Sequence, residues 1–99
     1  MTKSEMAAAL NQRGAWLPGK RVKIDFGAEG VVMLDGNANQ VTEEDGAADT
    51  TIKVSWQDWQ DMSEGKLDGM TAFMQGKLKV EGDMSNAMQL QGVLAKLRG

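Results

Sequence analysis

The chain has no cysteine, no histidine, no tyrosine and one proline. Without Cys there is no disulfide, no nucleophilic thiol and no thiolate metal ligand, and the redox compartment is left open. Without His the commonest general base and metal ligand is gone. The acids and bases that remain are carboxylates and lysines. Positive charge is in short supply: 11 Lys and Arg face 14 Asp and Glu, a net charge of −3. That balance argues against a nucleic-acid partner. No apolar run approaches the roughly 18 residues of a membrane span, and no signal peptide is visible. The carboxylates fall mostly at polar positions of alternating stretches, in turns or on polar helix faces, and no two converge on one buried point. Gly65-Lys66 and Gly76-Lys77 lack the glycine spacing of a phosphate cradle and read as helix ends.

The apolar inventory is richer. Eight methionines in 99 residues is a high share, and Met62, Met70, Met74, Met84 and Met88 all lie near predicted helices. Methionine is flexible and polarizable, so it suits walls that accept ligands of varied shape, and it equally fills a small core. Composition alone leaves both readings open. The length is that of one domain, residues 1–99, which buries roughly two thirds of its unfolded surface.

A first helix is predicted over residues 3–12, capped by Ser4, with Met6 and Leu10 facing a sheet. Gly14 stops it and Pro18-Gly19 turns the chain. Val22–Phe26 alternates as the first strand. Val31–Asp35 is a second strand, apolar on both faces. Asp35-Gly36-Asn37 is a hairpin signal, with a third strand over 38–42. Glu43-Glu44-Asp45-Gly46 reads as a solvated loop without the ordered spacing of a calcium site. Thr51–Trp56 alternates as a fourth strand. A helix follows, beginning at Ser55 or just after it. Trp56, Trp59 and Met62 share one face of that helix, and Gly65 ends it. A final helix is predicted over 84–97. Its stripe is Met84, Ala87, Met88, Leu90, Val93, Leu94 and Leu97.

The stretch Met70–Asp83 organises the chain. Met70, Phe73 and Met74 are spaced i, i+3, i+4, one helical face. Gly76 is a C-cap. Lys77–Glu81 alternates as a fifth strand, and Asp83 can cap the last helix. Ala72–Met84, with Ala87, Met88 and Leu90 after it, closely resembles the signature of the sterol carrier protein type 2 family. Gly65-Lys66-Leu67-Asp68 is similar to the family segment that precedes that signature. The likeness is strong over about 49–97, weaker over 20–48 and poor before residue 20. Family members commonly begin with a longer amphipathic helix.

The strand and helix pattern suggests an α+β (α/β) fold, a mixed five-stranded sheet with helices packed on one face. The resemblance implies the same, with a parallel pair inside the sheet. It also implies an apolar tunnel between sheet and helices for fatty acid, acyl-CoA or sterol. On that basis the expected function is non-enzymatic lipid binding and transfer. The wall candidates are Trp56, Trp59, Met62, Met70, Phe73, Met74, Met84, Met88, Leu90 and Leu94. Gln75 is the polar candidate for a lipid headgroup; solvent exposure is its default. Lys77 and Lys79 are read as solvent-facing strand residues or as contacts to a headgroup. No metal or redox cofactor is implied. The alternative is a homodimeric interaction module, or an accessory module presenting acyl substrates to a separate enzyme. Transient membrane contact is a further expectation. Ala95-Lys96-Leu97 resembles a peroxisomal address, but Arg98 and Gly99 follow it, and such addresses are read at the C-terminus. The expected location is therefore cytoplasmic.

Overall fold

The computed structural model describes residues 2–89. Its elements are α1 (Lys3–Gln12), β1 (Arg21–Asp25), β2 (Val31–Asp35), β3 (Gln40–Thr42), β4 (Thr50–Val54), α2 (Trp56–Ser63), α3 (Gly69–Met74), β5 (Leu78–Gly82) and α4 (Met84–Met88). A single sheet runs in the order β3-β2-β1-β4-β5. β1 and β4 are parallel, and the other neighbours are antiparallel. This is the expected mixed sheet with its internal parallel pair. The last helix is described to Met88; the rest of its predicted span, with Leu90 and Leu94, lies outside the described residues.

Strand alternation decides which face is inside. Val22, Ile24, Val32, Leu34, Val41, Ile52, Val54 and Leu78 point to one side, where they meet Met6, Leu10, Trp59, Met62 and Ala72 in one core. Met33 has the opposite parity yet is only 1% exposed. The connection from β3 to β4 explains it. These two strands point the same way, so the chain must return along the sheet before β4 begins. Helices occupy the inner face, and residues 43–49 cross the outer one. Lys23, the register partner of Met33, donates from Nζ to Asp45 Oδ1 at 2.8 Å and to the Gly46 carbonyl at 3.0 Å. Asp49 closes the crossing, its N–H donating to the Arg21 carbonyl and its carboxylate accepting the Arg21 N–H. Glu43 pairs with Lys3 at 3.2 Å. The acidic stretch is the exposed loop expected from the sequence, and it is tied down through Lys3, Lys23 and Arg21. Lys23 holds the Asp45 carboxyl below the ordinary carboxylate range, with help from the Gly46 N–H.

Local differences from the sequence reading have local causes. Thr2, not Ser4, caps α1: its hydroxyl accepts the Glu5 N–H while the Glu5 carboxylate accepts the Thr2 N–H. Ser4 instead donates to Glu43. β3 starts at Gln40, later than predicted, because the hairpin loop is longer than two residues. Asp35 Oδ1 accepts both the Asn37 and Ala38 N–H groups, and Asn39 takes φ +55°. β5 is an edge strand, which leaves Val80 only half-buried.

Three helices end alike, at Gly14, Gly65 and Gly76. At Gly76 (φ +76°) the Gly76 N–H donates to the Phe73 carbonyl and the Lys77 N–H to the Ala72 carbonyl. Gly76→Val should therefore cost about 1–2 kcal/mol, from left-handed strain on a β-branched residue alone, since nothing lies within 4 Å of its would-be Cβ. Gly46 has no positive φ, and Gly46→Val should cost less. Denaturant melts of both variants check the order; equal midpoints would remove the capping argument.

Candidate functional site

Three helices carry the residues singled out for ligand contact. On α2, the Ser55 hydroxyl accepts the Asp58 N–H and starts the helix. The spacing of Trp56, Trp59 and Met62 turns all three toward the sheet, but to different depths. Trp59 and Met62 are fully buried, and Trp56 is half-buried at the rim. Phe26, just past β1, meets Trp56 edge-on at 5.2 Å between ring centres and Trp59 at 5.9 Å. The Trp59 indole N–H is buried and has no acceptor among the described residues.

α3 is short. Asp68 caps it by accepting the Thr71 N–H, and Ala72 is its buried residue. The Met70, Phe73 and Met74 face therefore points away from the core, at 56%, 42% and 79% exposure. Gln75, the C-cap residue of α3, is exposed as well.

α4 is pinned at its start. Asp83 accepts the Ser85 N–H at 2.9 Å and the Ser85 hydroxyl at 2.6 Å, and these bonds hold its carboxyl below the usual range. Thr50, buried in β4, donates to the Asp83 carbonyl and accepts from the Asn86 amide. Met84 and Met88 project outward, at 48% and 73% exposure.

The set named from sequence therefore divides. Trp59 and Met62 are core, Trp56 bridges core and surface, and five large apolar side chains on α3 and α4 face out. Exposed large apolar side chains in such number on two short helices draw attention to this side of the molecule as a ligand or interaction site.

A separate groove of about 320 Å³ opens at the ends of β1 and β4. Phe26 and Val54 give it an apolar floor. Asp25, Gly27, Lys53, Ser55, Gly76, Lys77 and Lys79 complete it. Of these, the sequence singles out only Lys77 and Lys79 for headgroup contact. Lys53, Ser55 and Phe26 join them through the β1–β4–β5 register, which no local pattern encodes. Gln75 is not among the lining residues.

Residues 7–95 match the model of the SCP-2 sterol transfer family. The chain is similar to sterol carrier protein 2 of Bos taurus, 38% identical over 63 residues, which is 64% of this chain and 12% of that protein. It therefore spans only a small part of the curated relatives it matches. Among solved structures it is similar to a sterol carrier protein 2 of Aedes aegypti in complex with palmitate. That match has a TM-score of 0.75 and 20% identity, covering 93% of each chain. It is also similar to part of a stereoselective inverting sec-alkylsulfatase of Pseudomonas sp., at TM-score 0.64 and 22% identity, over 89% of this chain and 15% of that one.

Proposed function

Since the chain belongs to the SCP-2 sterol transfer family, we propose that it binds and transfers lipids without chemistry of its own. The single observation that carries this reading is the exposure of five large apolar side chains, Met70, Phe73, Met74, Met84 and Met88, on α3 and α4. The tail of a fatty acid, acyl-CoA or sterol lies along the outward faces of α3 and α4, and these flexible side chains fold over it. Each buried methylene of an acyl chain contributes about 0.8 kcal/mol. Few polar groups fix the ligand, so selectivity is modest. Transfer is partition: the lipid leaves a membrane on transient contact, and the complex carries it through the cytoplasm. The palmitate held by the similar Aedes aegypti protein supports a fatty acid as the first ligand to try.

A fluorescent acyl probe should bind saturably at micromolar concentration. A folded protein that shows no saturable binding would sink this reading.

The sulfatase match favours a second one, in which the module presents acyl or alkyl substrates to a separate enzyme. In a related form, the outward face of α3 and α4 is covered by a second copy. Solution mass with native mass spectrometry separates these. A monomer with co-purified lipid supports the carrier; a lipid-free dimer supports the module.

A further inference from the structure

One edge of the sheet is closed and the other is open. β3, at one end, is three residues long, and its Val41 N–H is taken by the Asn11 side-chain oxygen of α1 at 2.9 Å. β5, at the other end, is five residues long, and nothing bonds its outer edge among the described residues. Which main-chain groups face out follows from the ladder. The Phe26 N–H donates to the Gly30 carbonyl and the Gly36 N–H to the Lys20 carbonyl, so Val22 and Ile24 turn their main-chain groups to β2. Lys23 and Asp25 therefore turn to β4, where they bond Thr50, Ile52 and Val54. Thr51 and Lys53 are left to bond Glu81 and Lys79. The Asp83 N–H, donating to the Asp49 carbonyl, keeps the same parity. Leu78, Val80 and Gly82 thus present their main-chain groups to the open edge, a template for another strand.

The side chains select the strand that fits. Lys79 and Glu81 are exposed on the outer face of the sheet. Lys53, the direct partner of Lys79, lies between its β1 partner Asp25 and the Glu81 carboxylate, 3.0 Å away. Lys53 is therefore balanced. Lys79 has no ion-pair partner among the described residues, and its other side is the open edge. A lysine on an edge ordinarily guards it. Here the same strand carries the opposite charge two residues on. Two-fold antiparallel self-pairings that keep the parity centre on residue 79, 80 or 81. The first sets Lys79 against Lys79, and the last sets Glu81 against Glu81. Centring on Val80 sets each Lys79 directly opposite Glu81 of the other copy, and such pairs favour a register as like charges oppose it.

We propose that β5 pairs antiparallel with β5 of a second copy about Val80, joining two five-stranded sheets into one. The two Val80 residues exchange main-chain bonds, and their half-buried side chains cover each other on the inner face. Glu81 keeps Lys53 at Oε2, and its exposed carboxylate accepts Lys79 of the other copy as well. The contact uses no residue of α3 or α4, so it is independent of lipid binding. A five-residue edge falls short of the roughly 1,200 Å² of a standard interface, so the Kd is on the order of 10–100 μM.

Sedimentation of the whole protein from about 5 μM to about 1 mM should show monomer passing to dimer. Lys79→Glu or Glu81→Lys alone places like charges opposite one another and should weaken association at least about tenfold. Mixing these two variants restores every pair, and a heterodimer should form. Val80→Pro removes an N–H that faces the edge and not β4, so the monomer should fold while the dimer is lost. Circular dichroism melts check folding, and acyl-probe binding should persist in the Val80→Pro monomer. A monomer at the highest concentration would overturn the proposal. So would a dimer that survives Lys79→Glu, or variants that associate no better mixed than apart. Dissociation by Phe73→Ser with Met74→Ser, and not by Val80→Pro, would place the contact on α3 and overturn the edge pairing. Loss of probe binding in a protein that still dimerises would remove the lipid reading and leave the edge pairing standing.

Discussion

Gly36→Ala should destabilise the protein by roughly 3–5 kcal/mol, among the largest effects of any single methyl group in this chain. Gly36 ends β2, is buried, and has no positive φ, so backbone strain is not the cause. Space is. A Cβ there would collide with the Leu17 carbonyl oxygen, and would lie 2.6 Å from the Leu17 carbonyl carbon and 2.7 Å from the Lys20 oxygen. All three are backbone atoms and cannot swing aside like a side-chain tip. The same residue is clamped by two hydrogen bonds. Its N–H donates to the Lys20 carbonyl at 2.8 Å, and its carbonyl accepts the Gly19 N–H at 3.2 Å. Making room for the methyl must push residues 17–20 away from β2 and break one bond or both. Each net bond is worth about 1 kcal/mol, and overpacking about 1–3 kcal/mol. Against a typical domain stability of about 5–15 kcal/mol, that is a large share. Tm should fall by at least 10 °C, at about 4–8 °C per kcal/mol. Urea melts and a thermal scan decide it. A loss under about 1 kcal/mol would mean that the 17–20 segment yields freely and does not hold β2 in place.

That glycine shows what the sequence could and could not disclose. Asp35-Gly36-Asn37 announces a turn, because Asp and Gly act locally. The contact that demands glycine is made with Leu17 and Lys20, and no local pattern reports it. Strand identities were legible for the same reason that the turn was: Arg21–Asp25 and Thr50–Val54 alternate along their own length. Helix ends at Gly65 and Gly76 were legible from one residue each. Met33 was legible only as apolar on an otherwise polar-facing position. Its cover, the strap at 43–49, follows from strand direction, and strand direction came from family likeness rather than from periodicity.

The ligand-facing candidates show the limit more sharply. Period fixes which residues of a helix share a face, not where that face points. Trp56, Trp59, Met62 and Met70, Phe73, Met74 have the same kind of spacing. The first set turns inward and the second outward, because Ala72 is the residue that α3 offers to the sheet. The groove at the ends of β1 and β4 was hidden for a different reason. Lys53 and Lys79 are far apart in sequence and meet only through the β4–β5 register.

This division of the helical residues yields the second large effect. Trp59→Ala should cost about 3–5 kcal/mol, since it empties a fully buried indole from the centre of the core. Phe26 loses one of its two edge-on ring partners. Phe73→Ser with Met74→Ser should change stability by no more than about 0.5 kcal/mol per site, because both side chains are largely in water already. Lipid affinity should behave in the opposite way. If the outward face of α3 receives an acyl tail, deleting Phe73 and Met74 removes apolar contact worth roughly 1.5–3 kcal/mol per fully buried side chain. Probe affinity should then fall by at least about tenfold while the melt is unmoved. A conservative Trp59→Phe variant serves as control: it keeps the ring and removes the unpaired indole N–H. It should retain most of the stability that Trp59→Ala loses. Denaturant melts and acyl-probe titrations are read on the same preparations. Affinity unchanged in the double serine variant would take α3 out of the binding surface, and the tail would then have to be sought elsewhere on the helical side. A stability loss there as large as in Trp59→Ala would mean that Phe73 and Met74 are packed in solution, and the outward face would not be free to meet a ligand at all.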